Sequence, residues 1–185
     1  MFVGGTQSDY VDVIGDGNHV VIGDEGNDFI NASNATNGRH ILIGGPGADQ
    51  LRAGDFGDII ITGTLSPWAS ILPETGLPAM FSYPEYMDII RSEWISEQSS
   101  FADRVDQIFD NGIGNSNLWS RIPMADQATP IRLSNQHPSN VLIDADVDEV
   151  FLGTGDDWLF WDDATDIIDN INPLDANEQQ KVIDL

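Results

Sequence analysis

The sequence predicts a mainly β fold: a parallel β-roll of nonapeptide repeats, with an inserted α-helical pair and a second, degenerate roll tract. Three observations carry that expectation. A nine-residue period of glycine, aspartate and one large apolar residue runs through residues 14–61. The period returns, poorer in glycine, in residues 134–169. Between the two, apolar residues fall at helical spacing from Tyr86 to Phe109.

The period is clearest in Gly44-Gly45-Pro46-Gly47-Ala48-Asp49-Gln50-Leu51-Arg52. Glycines at positions 1, 2 and 4 permit the positive φ of a tight turn. Such a turn aims carbonyls inward. The aspartate at position 6 adds a carboxylate, and hard oxygen donors suit Ca2+. Positions 7 to 9 are a short strand whose middle side chain points inward.

Counting outward by nine, residues 23–31 keep Gly23, Gly26, Asp28 and Ile30, and residues 53–61 keep Gly54, Asp58 and Ile60. Residues 14–22 and 35–43 keep Val21 and Leu42 at position 8 but carry His19 and His40 at position 6. Residues 32–34 are extra, and a degraded copy ends near Asp9 and Val11. In the second tract, position 8 holds Val141, Val150, Leu159 and Ile168, and position 6 holds Ser139, Asp148, Asp157 and Asp166.

If each nonapeptide is a half-turn, alternate units share an edge. Asp9, Asp28 and Asp49 then form one column, and His19, His40 and Asp58 the other. Asp148 and Asp166 share one edge of the second tract, Ser139 and Asp157 the other. Neutral imidazole is a poor ligand for a hard cation. A calcium ion is therefore expected between the 23–28 and 44–49 turns, and none between the His19 and His40 turns. A transition-metal pair at the two histidines is the alternative.

Composition narrows the function. The formal charge is −24, from 31 acidic and 7 basic residues. That excludes nucleic acid as a partner, which needs clustered Lys and Arg, and it opposes binding to anionic membranes. Many of the aspartates recur at one repeat position, which favours a cation-binding protein over a merely solvated acidic surface. Such charges repel when uncompensated, so folding is expected to be linked to metal. There is no cysteine, hence no disulfide framework. No stretch approaches the roughly 20 apolar residues of a membrane span. The N-terminus lacks the basic and apolar regions of a signal peptide, and the chain reads as the C-terminal piece of something longer.

Three segments follow: residues 1–61 as the repeat tract, 62–133 as a loop and helical insertion packed on it, and 134–185 as the degenerate tract and tail. Within the insertion, Ser82, Pro84 and Glu85 read as a helix start. Tyr86, Ile89, Ile90 and Trp94 follow as a stripe. Ser100 reads as the cap of a second helix carrying Phe101, Val105, Ile108 and Phe109, with Gly112 as its stop. Ile59, Ile61, Trp158 and Phe160 fall at outward positions yet are large and apolar, so they are expected to be buried.

Residues 14–61 resemble RTX (hemolysin-type) calcium-binding repeats. The order of repeats, then Tyr86 to Phe109, then Gly153-Thr154-Gly155-Asp156-Asp157-Trp158 is similar to the C-terminal region of large secreted or surface RTX proteins of bacteria. The resemblance implies type I secretion, with folding in calcium outside the cell. It implies that the position-6 aspartates and loop carbonyls hold the metal: Asp28 and Asp49 with Gly23, Gly26, Gly44, Gly45 and Gly47, and then Asp9, Asp58, Asp148, Asp157 and Asp166.

The sequence shows no H-E-x-x-H, G-x-S-x-G or phosphate loop. The expectation is a non-catalytic, extracellular calcium-binding module within a larger polypeptide. The alternatives are an adhesin-like domain that takes a protein or glycan ligand on the 62–133 insertion, and an accessory module of a polysaccharide-active enzyme.

Overall fold

The computed structural model describes residues 1–65, 83–110, 133, 141, 142, 144–162, 164–169 and 181–184. Ser82, Gly112, His137 and Ser139 lie outside them. The chain divides into two compact units, residues 1–65 with 141–185, and residues 66–140.

The first unit is mainly β and mostly parallel. Its strands are β1 (Phe2–Gly5), β2 (Tyr10–Asp12), β3 (Gly15–Asp16), β4 (Val20–Asp24), β5 (Phe29–Asn31), β6 (Ala35–Asn37), β7 (Ile41–Ile43), β8 (Gln50–Arg52), β9 (Ile59–Ile61), β10 (Thr64–Leu65), β11 (Val141–Leu142), β12 (Glu149–Phe151), β13 (Trp158–Trp161), β14 (Ile167–Asp169) and β15 (Lys181–Asp184). One sheet has the order β1-β4-β7-β9-β13-β15, the other β14-β12-β8-β5-β2. Every pair in these two sheets is parallel. The small pairs are β3 with β6, parallel, and β10 with β11, antiparallel.

The register follows the nine-residue count. Val21, Leu42, Ile60 and Leu159 face one another across one sheet. Val11, Ile30, Leu51, Val150 and Ile168 do so across the other. These side chains, with Val13, Ala32, Ala35, Ala53 and Leu152, make one apolar core. Short strands of three residues hold here because each buries its middle side chain between two sheets, and a buried aliphatic of this size contributes roughly 1.5–3 kcal/mol.

The second tract adds strands to the sheets of the first. β12 pairs with β8 and β13 with β9, so residues 144–169 extend the same two sheets. Residue 141 does not take part as a repeat position. Val141 pairs antiparallel with Leu65 in the ribbon that closes the insertion. Nine-residue spacing alone could not separate a strand of the coil from a strand of that neck.

Ile59, Ile61, Trp158 and Phe160 are fully buried. So are Ile41 and Ile43 at the same positions of β7, and Val20 and Ile22 of β4 are nearly so. The apolar character of this outward face thus runs along four strands, two more than the sequence reading marked.

In the second unit, α1 (Tyr83–Trp94) precedes α2 (Phe101–Val105), which continues as a π-helical turn, Asp106–Asp110. Ser100 caps α2 in extended backbone. Its hydroxyl accepts the Asp103 N–H at 3.2 Å, and the Asp103 carboxylate accepts the Ser100 N–H at 3.2 Å. Ile89, Ile90, Trp94, Phe101, Val105 and Ile108 are buried. Trp94 meets Phe101 edge-on, 5.8 Å between ring centres, and the Arg104 guanidinium lies 5.0 Å over the Trp94 ring.

Candidate metal centre

Position 6 forms rungs between neighbouring strands, the backbone N–H of one such residue donating to the side chain of the next. The Asp9 N–H donates to Asp28 Oδ1, Asp28 N–H to Asp49 Oδ1 and Asp49 N–H to Asp148 Oδ1, each at 2.7 Å. Asp148 N–H donates to Asp166 Oδ1 at 3.2 Å. The column crosses from residue 49 to residue 148 without a gap. On the other edge, His19 N–H donates to His40 Nδ1 at 3.3 Å, His40 N–H to Asp58 Oδ1 at 2.6 Å and Asp58 N–H to Asp157 Oδ1 at 2.8 Å.

In each carboxylate that accepts such a rung, one oxygen is therefore spent on the fold. The second oxygen differs from residue to residue. In Asp9 it accepts the Gly5 N–H at 3.0 Å, and in Asp58 the Gly54 N–H at 2.7 Å. In Asp166 it accepts the Asp162 N–H at 2.9 Å and the Thr62 hydroxyl at 2.8 Å. In Asp28, Asp49 and Asp148 it is buried and accepts no hydrogen bond, and the three residues are only 1–2 % exposed. A buried oxygen of this kind is costly unless something compensates it.

The turns leave room beside these oxygens because glycine stands there. A Cβ on Gly23 would overlap Asp28 Oδ2 and the Gly44 carbonyl oxygen, and one on Gly44 would overlap Asp49 Oδ2 and the Thr62 carbonyl oxygen. At each glycine an acidic oxygen and a carbonyl oxygen thus approach the same Cα. Gly26, Gly45 and Gly47 have φ of 137°, 111° and 136°, values that bend the turn and that side chains resist. Oxygen donors alone, carboxylate and carbonyl, are a set for Ca2+ rather than for a softer metal.

The electrostatics agree. Burial pushes the Asp49 carboxyl up to about 8, aided by Asp148, Asp28 and Asp144 and opposed by the Asp28 N–H. Burial likewise raises Asp148 to about 8, with Asp166, Asp144 and Asp146 adding to it. Asp28 is raised, again mainly by burial. Stacked acids in a buried column resist ionisation, and a cation would remove that resistance. Among the described residues no group of three His, Cys, Asp or Glu side chains forms a metal cluster by itself.

The histidine edge has different chemistry. The His19 and His40 rings stack, 5.5 Å between centres and 16° between planes. Because His40 Nδ1 accepts a hydrogen bond, its neutral ring carries the proton on Nε2. That buried Nε2 is a donor, which disfavours a metal there. Burial, then His19, lowers His40 to about 4, so the ring stays neutral. Asp58, on this edge, is raised to about 7 by burial even though N–H donors engage both its oxygens.

The structure thus aligns Asp9, Asp28, Asp49, Asp148 and Asp166 in one column and His19, His40, Asp58 and Asp157 in the other. Two features were missing from the sequence reading. The rung role of position 6 explains why histidine is tolerated there, since Nδ1 and Oδ1 accept alike. Asp144 lies beside the column; its presence at position 2 of its unit, where the repeat has glycine, was the available signal. Comparison with known proteins finds no matching family model, no matching curated protein and no matching solved structure.

Proposed function

We propose that this chain is a non-catalytic calcium-binding module of the RTX type. In this reading its paired sheets are the faces of a parallel β-roll of nonapeptide repeats, and it belongs to a secreted bacterial protein that folds in calcium after type I secretion. The observation that carries the reading is the run of buried carboxylates at Asp28, Asp49 and Asp148 whose second oxygens accept no hydrogen bond, with glycine turns and carbonyl oxygens close beside those of Asp28 and Asp49. Asp28 and Asp49, with the carbonyls of the 23–28 and 44–49 turns, are the central pair of ligands. The charge of −24 gives the same module a reason to remain unfolded without the cation. The test is circular dichroism during a calcium titration, with reversal by EGTA. Strand signal should appear cooperatively, at roughly 10⁻⁴ to 10⁻³ M as in other extracellular calcium modules. Strand content and melting temperature that ignore EGTA would overturn the proposal.

A further inference from the structure

The sheet β14-β12-β8-β5-β2 repeats one backbone bond at every step. The N–H at position 7 of each strand donates to the position-6 carbonyl beside the preceding strand: Phe29 to Asp9 at 2.9 Å, Gln50 to Asp28 at 2.8 Å, Glu149 to Asp49 at 2.8 Å and Ile167 to Asp148 at 2.7 Å. The series has two loose ends. At its start stands the Tyr10 N–H. Asp9 turns its carbonyl and Val13 its N–H toward β5, and main-chain groups alternate sides along a strand, so the Tyr10 N–H faces the free edge of β2. At its finish stands the Asp166 carbonyl, beside β14. Among the described residues β2 and β14 each pair on one side only.

The same two ends hold apolar side chains in water. Tyr10 is 73 % exposed and Ile167 51 %, and both belong to the row Tyr10-Phe29-Gln50-Glu149-Ile167. Tyr10 stacks on Phe29, ring centres 4.9 Å apart and planes 6° apart, and its other face is open. In the other sheet the end strand β1 exposes Phe2 and Val3. An edge with a loose donor and exposed apolar side chains is a template for another strand.

We infer that the free edge of β2 takes β14 of a second copy of this chain, head to tail, with the Tyr10 N–H donating to the Asp166 carbonyl and Ile167 in register with Tyr10. A second copy is the occupant because the acceptor that would continue the series lies at the opposite end of the same sheet. A step from β14 to β2 also keeps the parallel direction and the position-7 row of every other step. Such a contact is heterologous: each joined copy leaves one end free, and growth continues past a dimer. The side-chain rung does not carry across. Asp166 already gives its N–H to the Asp162 carbonyl at 2.9 Å, which leaves none for Asp9 Oδ1 of the next copy. The junction is therefore weaker than a step inside the sheet, and with a charge of −24 on each copy it needs salt to screen the repulsion. It stands apart from the calcium reading, and either can fail alone.

The test is sedimentation velocity of the full chain over a range of concentrations, in buffer where circular dichroism shows the strands formed and at about 0.15 M salt. Wild type should form species beyond the dimer that grow with concentration. Tyr10→Asp blocks one end and Ile167→Asp the other, so each variant alone should be monomeric. Mixed in equal amounts they should form a dimer and nothing larger, since each supplies the end that the other has lost. Both side chains are exposed; Tyr10→Asn and Ile167→Asn serve as the milder pair if an aspartate disturbs the strand signal. Wild type that stays monomeric at every concentration would overturn the inference. So would a mixture that stays monomeric, or a dimer that Tyr10→Asp abolishes and Ile167→Asp leaves intact, which would join two β2 edges instead.

Discussion

Asp28 gives its backbone N–H to Asp49 Oδ1 at 2.7 Å and leaves Asp49 Oδ2 without a partner. One carboxylate thus has one oxygen engaged in the architecture and one left over, which the calcium proposal assigns to the metal, and substitution can separate the two. Asp49→Asn keeps an acceptor at Oδ1 and removes the charge. Its calcium affinity should fall by about tenfold or more, with little change in metal-free melting. Asp49→Ala also strands the Asp28 N–H, which should cost a further ~1–3 kcal/mol. Paired calcium titrations and denaturant melts check this; equal behaviour of the two variants would count against a divided role.

Gly44→Ala should impair both functions together. The new Cβ would meet Asp49 Oδ2, the oxygen proposed for the cation, and the Thr62 carbonyl oxygen, which accepts the Gly45 N–H of the same turn. Calcium response should drop more than for Gly5→Ala, whose Cβ meets nothing within 4 Å. Circular dichroism against calcium concentration compares the two.

The pH dependence has a definite sign. Asp49 and Asp148 have folded values of about 8 against an ordinary 3.8. Their contribution to metal-free stability is full below the ordinary value and is lost as pH rises through about 8. His40, lowered from 6.5 to about 4, acts oppositely: its contribution is full above 6.5 and is lost as pH falls toward 4. Between pH 6.5 and 8 the acids are unopposed by His40, so melting temperature in EGTA should fall across that window. Saturating calcium should flatten the fall, and binding near pH 7 should release protons, seen by calorimetry in buffers of different ionisation enthalpy. A metal-free melting temperature that rises from pH 6.5 to 8 would contradict this.

The histidine edge offers a gain-of-function test. Aspartate at residues 19 and 40 preserves the acceptor that His40 Nδ1 supplies to the His19 N–H and adds two carboxylates. The double variant His19→Asp with His40→Asp should bind one more calcium ion than wild type. His40→Ala should instead only destabilise, by about 1–3 kcal/mol, because the His19 N–H loses its partner. Stoichiometry by calorimetry separates these outcomes.

The core was legible because period and burial coincide. Val21, Ile30, Leu42, Leu51, Ile60, Val150 and Leu159 were placed by counting and all lie in it. Ser100 was legible as a cap because serine before an apolar helical stripe satisfies end N–H groups. What was lost was lost for physical reasons. Val141 fits the count, but the strand it occupies belongs to the antiparallel neck, and local sequence does not encode pairing across an insertion. The rungs were invisible because an aspartate chosen for metal and one chosen as an N–H acceptor look the same in sequence. The histidines gave the hint, since a residue unsuited to calcium occupied the same position.

The neck has a consequence for how such a chain can be built. Thr64 lies opposite Leu142 and Leu65 opposite Val141, so everything between leaves and re-enters at neighbouring points. Past the neck the winding resumes in the proper sheet, β12 on β8 and β13 on β9. To these two sheets, residues 66–140 are one connection, entered from β10 and left into β11. A tight two-residue turn spliced between Leu65 and Val141 would leave the alternation of strands intact. So would a foreign domain whose ends lie one strand spacing apart.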